Sequence, residues 1–338
     1  MSGGVDSSLT AALLKEQGYQ VVGVYMKNWT QDMPGLKCPW ADDLADAKRV
    51  AVALDIDFKV FDFEKEYKHK VVDYMIEEYK AGRTPNPDIM CNQEVKFRLF
   101  LDLALEQGAD MIATGHYART VDGKLLEAKD KNKDQTYFLY RITEDALKKT
   151  LFPLGDFTKP EVRIMAEERG LITARKKESM GICFVGKVGI REFLSQYVTQ
   201  TSGNIIEKET GNIIGKHDGA IFYTLGQRHG LDVGGGLPYY VVDKDMGKNE
   251  VYVTTDLNSE ELWKGEVTLS NMHWINNVPQ KGTYKIRVRH RAKLISSNLD
   301  FYNGETVLSL DEKERAVTAG QSIVVYKDDL CLGGGIVV

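Results

Sequence analysis

Ser2-Gly3-Gly4-Val5-Asp6-Ser7-Ser8, running directly into the helical stretch Leu9 to Gln17, has the makings of an anion cradle. Gly3 and Gly4 let the backbone turn tightly and approach a ligand. The amides that follow open a helix, where unpaired N–H groups and the dipole favour phosphate. A Gly-turn with Asp6 or Ser7 capping a surface helix would use the same residues. The pattern G-x-x-x-x-G-K-[ST] of γ-phosphate-cleaving loops is absent.

Two thiols stand in suggestive settings. Cys91 closes the stretch Gly82-Arg83-Thr84-Pro85-Asn86-Pro87-Asp88-Ile89-Met90-Cys91-Asn92. Its two prolines predict a rigid, extended loop ahead of a helix starting near Asn92. That spacing puts Cys91 at a helix N-terminus, where the dipole lowers a thiol pKa, although a small buried hydrophobe fits the same position. Cys183, in Gly181-Ile182-Cys183-Phe184, has Lys176 and Lys177 upstream; a thiolate-prone residue and a buried structural one both suit it. A third feature is Lys285 to Lys293, where every odd position is basic. As a strand it would set five cations on one face, for phosphates or merely for water.

The elements that must position these residues alternate at first. Val21 to Met26, Phe58 to Phe61 and Asp110 to Thr114 read as short buried strands, with helices over Asp42 to Leu54 and Glu64 to Lys80 between them. This predicts an α/β fold with a doubly wound parallel sheet, whose ligands gather at the carboxyl ends of the strands. Ser2 to Ser8, Met26 and Gly115 would then share one nucleotide. Thr158-Lys159-Pro160-Glu161 is a capping box opening a helix that runs to Arg169. Lys131 to Gln135 reads as a solvated turn. From about Gly203, short alternating runs such as Ala220 to Thr224, Val251 to Thr254 and Ser322 to Tyr326, separated by Gly, Asn and Asp turns, predict two small all-β barrels or sandwiches. The expected domains are 1–200, 201–265 and 266–338.

Composition narrows the classes. The chain is 43% hydrophobic and 28% charged with net charge −5, so general nucleic-acid affinity is disfavoured while a local basic patch is allowed. No apolar run is long enough to span a membrane. Four cysteines without a C-x-x-C pair argue against a zinc site and, in a reducing compartment, against structural disulfides. The expected location is the cytoplasm.

The string S-G-G-V-D-S-S resembles the pyrophosphate-binding loop of the N-type ATP pyrophosphatases. Together with G-R-T-P-N-P-D-I-M-C-N, A-T-G-H-Y-A, K-D-Q-T-Y-F-L-Y, G-I-C-F, T-L-G-Q-R and C-L-G-G-G, in that order along the whole chain, it is similar to the tRNA-specific 2-thiouridylase family. The resemblance implies ATP-dependent replacement of the C2 oxygen of a tRNA wobble uridine by sulfur. It implies that Met1, Ser2, Gly3, Gly4, Val5, Asp6, Ser7, Met26 and Gly115 bind ATP, with Mg²⁺ offsetting phosphate charge. Asn86, Pro87 and Asp88 would hold the target base, with Asp88 as general acid/base. Cys91 is the implied nucleophile and Cys183 the persulfide carrier, the two closing a transient disulfide. His116, Lys133, Asp134, Gln135, Arg289, His290 and Gln321 would touch tRNA.

The implied partners are tRNA, with Lys, Glu and Gln acceptors, and an external persulfide donor such as a cysteine desulfurase or relay protein. A different pyrophosphatase activating a small acid or nucleotide would need the loop but neither thiol. A non-catalytic tRNA-binding protein would need the basic stretch but not the loop. In a doubly wound fold a strand precedes such a loop. Because the loop begins at Ser2, the expectation is that Met1 stands where an internal residue belongs and the natural chain extends upstream.

Overall fold

The glycine loop leads into helix α1 (Val5–Glu16), which is buried from Ser8 through Leu14. Its buried stretch is mostly apolar, Leu9 and Ala11 through Leu14, with the small polar Ser8 and Thr10 enclosed among them. Leu9 and Leu13 pack with Val50, Leu154, Val162 and Leu171 into one cluster. Our computed structural model describes residues 1–32, 38–177, 189–234 and 236–338; Cys183 and its G-I-C-F motif lie outside the described residues.

Strand β1 (Val22–Lys27) pairs in parallel with β2 (Asp57–Asp62) after helix α2 (Trp40–Ala53) returns the chain. A helical run covers 64–80 and a second covers 87–106. Beyond it, β3 (Ile112–Ala113) leads to a hairpin of β4 (Arg119–Val121) and β5 (Lys124–Leu126), and β6 (Thr150–Leu151) pairs in parallel with β3. Among the described residues of this part of the chain the parallel strands thus stand as two pairs. Residues 1–7 bridge them, since the Met1 amino group donates to the Val24 carbonyl while Gly115 packs on Asp6 and Ser7. The expected capping box is present, Thr158 N and Oγ1 both donating to Glu161 at 2.6 and 2.9 Å, and the helix runs Lys159–Glu168.

The following part is β-rich, as expected. Strands β7 (Gly203–Glu207), β8 (Ile213–His217), β9 (Tyr240–Asp245) and β10 (Glu250–Thr254) form a four-stranded sheet in the order β8-β7-β10-β9. Ala220 to Thr224, expected as a strand, instead starts with a 3₁₀ turn over Ala220–Phe222. Gly219, at a φ of 148°, swings the chain into that turn, and Asn249 Oδ1 accepts from Ala220 N at 2.8 Å.

Strands β11 (Trp263–Trp274), β12 (Gly282–Arg287), β13 (Ile295–Tyr302), β14 (Glu305–Arg315), β15 (Ser322–Lys327) and β16 (Leu330–Val337) close into a barrel, β16 pairing back onto β11. Closure leaves no open edge except where β5 adds to β16 at Leu126 and Leu125. Among the described residues no helix is long and apolar enough to cross a membrane.

One expectation fails here. The strand carrying the alternating cations stops at Arg287, and 288–294 form a turn with Arg291 at a φ of 62°. Arg287 itself points inward, its side chain 7% exposed, donating to Asp134 Oδ2 and Glu127 Oε1 at 2.8 Å each. A five-cation face is impossible because the buried carboxylates claim the second cation and the turn redirects the rest. Removing one member of a buried ion group strands the others without water, which costs roughly 3–5 kcal/mol. Arg287→Met should therefore lower the urea unfolding midpoint by a corresponding amount, whereas Lys293→Met, at an exposed position, should leave it nearly unchanged.

Candidate active site

The phosphate loop is built by backbone. Gly3 has a φ of 73°, which only glycine adopts cheaply, and it lies against the Asp43 carbonyl of α2, so a side chain there would collide. Gly4 is the N-cap of α1 and, among the described residues, no side chain caps that helix. Its first amides are therefore left for an anion. Ser7 Oγ and Ser8 Oγ donate to Gly4 O at 3.2 and 2.8 Å, and Ser2 N donates to Ser7 Oγ at 3.0 Å, which ties the loop shut.

Asp6 and Ser7 are not caps. Asp6 accepts from Lys159 Nζ at 2.7 and 2.8 Å and from Tyr117 Oη at 2.9 Å. Lys159 is 7% exposed, and neither it nor Tyr117 was singled out from sequence. The T-K-P-E string reads as a capping box whatever its lysine does, so only the tertiary contact reveals the cation. Gly115 closes the far side: a methyl there would sit 2.8 Å from the Asp6 carbonyl carbon and the Ser7 nitrogen. Met26, half-buried, stands near the carboxyl end of β1 opposite Phe61.

Cys91 is not at a helix N-terminus. Pro87 takes the first helical position, where its missing N–H costs nothing, and Asn86 caps it by accepting from Asp88 N at 3.1 Å. The helix thus begins five residues early, at Pro87 and not Asn92, and Cys91, 2% exposed, opens a stretch of π-helix over Cys91–Phe100. Such winding is rare and gathers at functional sites. Asp88 is half-buried on the first turn; burial raises its carboxyl pKa, and the nearby Lys96 ammonium opposes the rise.

His116 is turned inward. Its ring lies among Phe97 and Phe152, with Nδ1 2.7 Å from Thr114 Oγ1 and Nε2 3.4 Å from Lys96 Nζ. Burial and then the Lys96 charge hold it well below the usual imidazole range, so it is neutral. Asp134 is likewise sealed, 1% exposed, accepting from Ala128 N, Thr136 Oγ1 and Arg287. Its carboxylate cannot be a surface contact. Lys131 to Gln135 is accordingly a loop anchored into the interior, not a solvated turn, with half-buried Gln135 Oε1 accepting from Tyr117 N at 2.9 Å. Lys133 remains half-exposed beside them.

A cleft of about 500 Å³ opens where three parts of the chain meet. Thr84, Pro85 and Asn86 line one wall, Thr224 to Gln227 a second, and Arg289, His290 and Gln321 a third. The Phe138 ring stacks on His290, centroids 4.5 Å apart, and the Phe138 carbonyl accepts from Asn92 Nδ2 at 3.1 Å. The cleft is therefore mechanically joined to the residue following Cys91. Arg289 pairs with Glu314 and donates to Arg315 O at 2.8 Å, while Arg291 Nε donates to Asn132 O at 3.1 Å. Cys38 and Cys331 lie elsewhere, Cys331 on β16 in the seam between the barrel and the N-terminal part, beside Leu125 and Tyr326, with its thiol pushed far up by burial.

Three family models match the chain in succession. Residues 1–187 match the family described as tRNA methyl transferase HUP domain, 191–255 the tRNA methyl transferase PRC-barrel domain, and 264–337 the Aminomethyltransferase beta-barrel domain. A tRNA-specific 2-thiouridylase MnmA of Chromobacterium violaceum is 47% identical over 348 residues, covering 100% of this chain and 90% of its own. The protein of the same name from Idiomarina loihiensis is 47% identical over 350 residues, covering 100% and 94%. That of Bacillus thuringiensis strain Al Hakam is 45% identical over 345 residues, covering 100% and 93%.

The Asp6–Lys159 contact generates an expectation for nucleotide binding. Lys159→Met removes the cation paired with Asp6 in the first turn of α1. It should weaken ATP binding, read by isothermal titration, by roughly tenfold or more, the scale of one charge-assisted hydrogen bond.

Proposed function

The chain belongs to the tRNA-specific 2-thiouridylase family, and from that premise we propose that it replaces the C2 oxygen of a tRNA wobble uridine with sulfur, consuming ATP. The observation that carries this reading is the three-walled cleft. Residues expected to hold the base, near Asn86, and residues expected to touch tRNA, Arg289, His290 and Gln321, line one cavity next to the helix of Cys91. On this reading residues 1–200 perform the chemistry, 201–265 supply a wall, and 266–338 bring the cations.

In the proposed sequence, the amides of the glycine loop and Lys159 hold the phosphates of ATP while the uridine O2 attacks the α-phosphorus and pyrophosphate leaves. Mg²⁺ arriving with the nucleotide would offset phosphate charge, and Asp6 is a loop carboxylate that would be able to hold it. Adenylation is needed because an amide-like carbonyl oxygen does not leave unaided. The outer sulfur of a Cys183 persulfide, charged by an external donor, bonds to C2. Cys91 as thiolate then attacks Cys183 Sγ, the sulfur–sulfur bond breaks, and the electron pair passes to the outer sulfur. The C2–O bond breaks, AMP departs, and 2-thiouridine and a Cys91–Cys183 disulfide remain for an external thiol to reduce. Release of hydrosulfide before attack on C2 leaves the same products. Asp88, with its raised pKa, can carry the proton. The tRNA set inferred is that of the Lys, Glu and Gln acceptors, and the setting the cytoplasm.

The deciding experiment is mass spectrometry of nucleosides from tRNA incubated with the protein, ATP and a persulfide donor. Appearance of 2-thiouridine, with pyrophosphate release that requires tRNA, supports the reading; tRNA-independent pyrophosphate release without thiolation overturns it. Cys91→Ser and Cys183→Ser should each abolish product while ATP binding persists, and Cys38→Ser should not. Arg289→Ala should weaken tRNA binding and flatten its log–log salt dependence by about one unit, the signature of one lost phosphate contact.

A further inference from the structure

We propose that Gly320 is a positioning residue for the base-holding loop: bare of a side chain, it lets the barrel turn at 316–321 clamp Thr84 and so sets where Asn86 to Asp88 stand relative to Gln321. This inference rests on the reading of those residues as base and tRNA contacts, and deepens it. Two constraints meet at Gly320. Its φ of 86° lies in the left-handed region, which glycine adopts at little cost. A methyl added there would stand 2.8 Å from both Arg83 Cβ and Thr84 N, and 3.3 Å from the Thr84 carbonyl carbon. Beside it, Ala319 O accepts from Thr84 N at 2.8 Å. The barrel thus holds the backbone of the loop itself, two residues ahead of Asn86. The same turn meets the second wall of the cleft at another glycine, Gly226, where a methyl would stand 2.5 Å from Ala316 Cβ.

Both sides of the clamp are stiff. On the barrel side, Gly320 N donates to Val337 O and Val337 N donates to Gln321 O, each at 2.9 Å, which fastens the turn to the end of β16. The Gln321 side chain braces the same turn, Oε1 accepting from Thr318 N at 3.2 Å and Nε2 donating to Val288 O. On the loop side, Arg83 N donates to Glu78 O at 2.9 Å, and Arg83 Nε donates to the Glu78 carboxylate at 2.6 Å. Pro85 and Pro87 flank Asn86, and their rings fix φ on either side of it. A displacement at Thr84 therefore reaches Asn86 and the cap of the Cys91 helix with little to absorb it. Thr84, Asn86 and Gln321 line one cleft, so this seam sets its width. Relieving the collision to an ordinary 3.4 Å moves the loop by about 0.6 Å, on a scale where a misplacement of about 1 Å slows a reaction by roughly a hundredfold.

The test compares Gly320→Ala with Gly304→Ala in the full chain. Gly304 has a φ of 82°, and a methyl added there meets nothing within 4 Å, so alanine carries the same backbone strain without the collision. In Gly320→Ala the thiolation kcat should fall about tenfold or more, while the Kd values for ATP and for tRNA stay within about twofold of the starting protein. The glycine loop is built separately, and phosphate contacts dominate affinity for RNA. Gly304→Ala should keep its kcat while losing a similar amount of thermal stability. An unchanged kcat in Gly320→Ala overturns the inference, as does an equal fall in Gly304→Ala, which would make the loss one of stability alone. If Gly320→Ala does not fold, hydrogen exchange at the Thr84 amide of the starting protein decides. Protection approaching that of buried Val325 sustains the clamp, and exchange at the rate of an open loop overturns it. Failure of the underlying reading shows separately, as no 2-thiouridine formed by the starting protein.

Discussion

A guanidinium buried between two carboxylates decides how the barrel meets the rest of the chain. Arg287, over the Tyr326 ring at 5.2 Å, is shared by Glu127 and Asp134. These charges come from a hairpin exit, an anchored loop and the end of a barrel strand; Glu127 also pairs with Lys131 and Asp134 also accepts from Ala128 N and Thr136 Oγ1, so it is Arg287 that depends on the docking of all three parts. Taking such groups out of water costs several kcal/mol each, and only their mutual contact offsets it. Tyr137 Oη donating to Ser322 O at 2.9 Å and Thr136 Oγ1 lying 3.1 Å from Tyr326 Oη extend the same seam. Because the strand must end on Arg287, the chain turns over the catalytic part immediately afterwards. That turn delivers Arg289 and His290 to the cleft.

The phosphate loop depends on a different constraint, the immobility of α1. A helix buried on nearly every side cannot adjust to a ligand, so its first amides are aimed in advance, which is what an electrostatic cradle requires. Gly3 and Gly115 make this possible by leaving no side chain between the loop and the elements that clamp it. The Asp6–Lys159 pair keeps a cation in the cradle at the cost of a carboxylate beside it. The pairing gives the buried lysine a countercharge.

The helix of Cys91 joins the two regions. Asn86 and Pro87 start it early, π-winding begins at the cysteine, and Asn92 reaches the Phe138 carbonyl, whose ring carries His290. Gln93 accepts from Arg141, which also donates to the Asn271 carbonyl of the barrel at 2.9 Å. The barrel turn is thus linked by direct contacts to Asn92, one residue from the thiol.

Much of this was legible from residue order. The Gly-Gly turn, the capping box at Thr158, the alternation of short apolar strands with helices and the change to β-rich sequence near Gly203 are local signals, each written in a few adjacent residues. Tertiary contact decided what local pattern could not. The period-two cations from Lys285 predicted a strand face, but period says nothing about which neighbour waits on either side, and two buried carboxylates waited for Arg287. The prolines before Cys91 predicted an extended loop, because a proline that opens a helix and one that forbids it look alike until the cap is seen. Lys159, Lys96 and the inward ring of His116 carry no motif of their own; their meaning is a distance to a residue far away in the chain. Sequence determined most of the elements and which residue types are candidates for the chemistry, since those rest on backbone propensity and residue type. Structure decided which charges are buried together, because the energy of a charge depends on its partners and its solvent, and neither is a property of its place in the sequence.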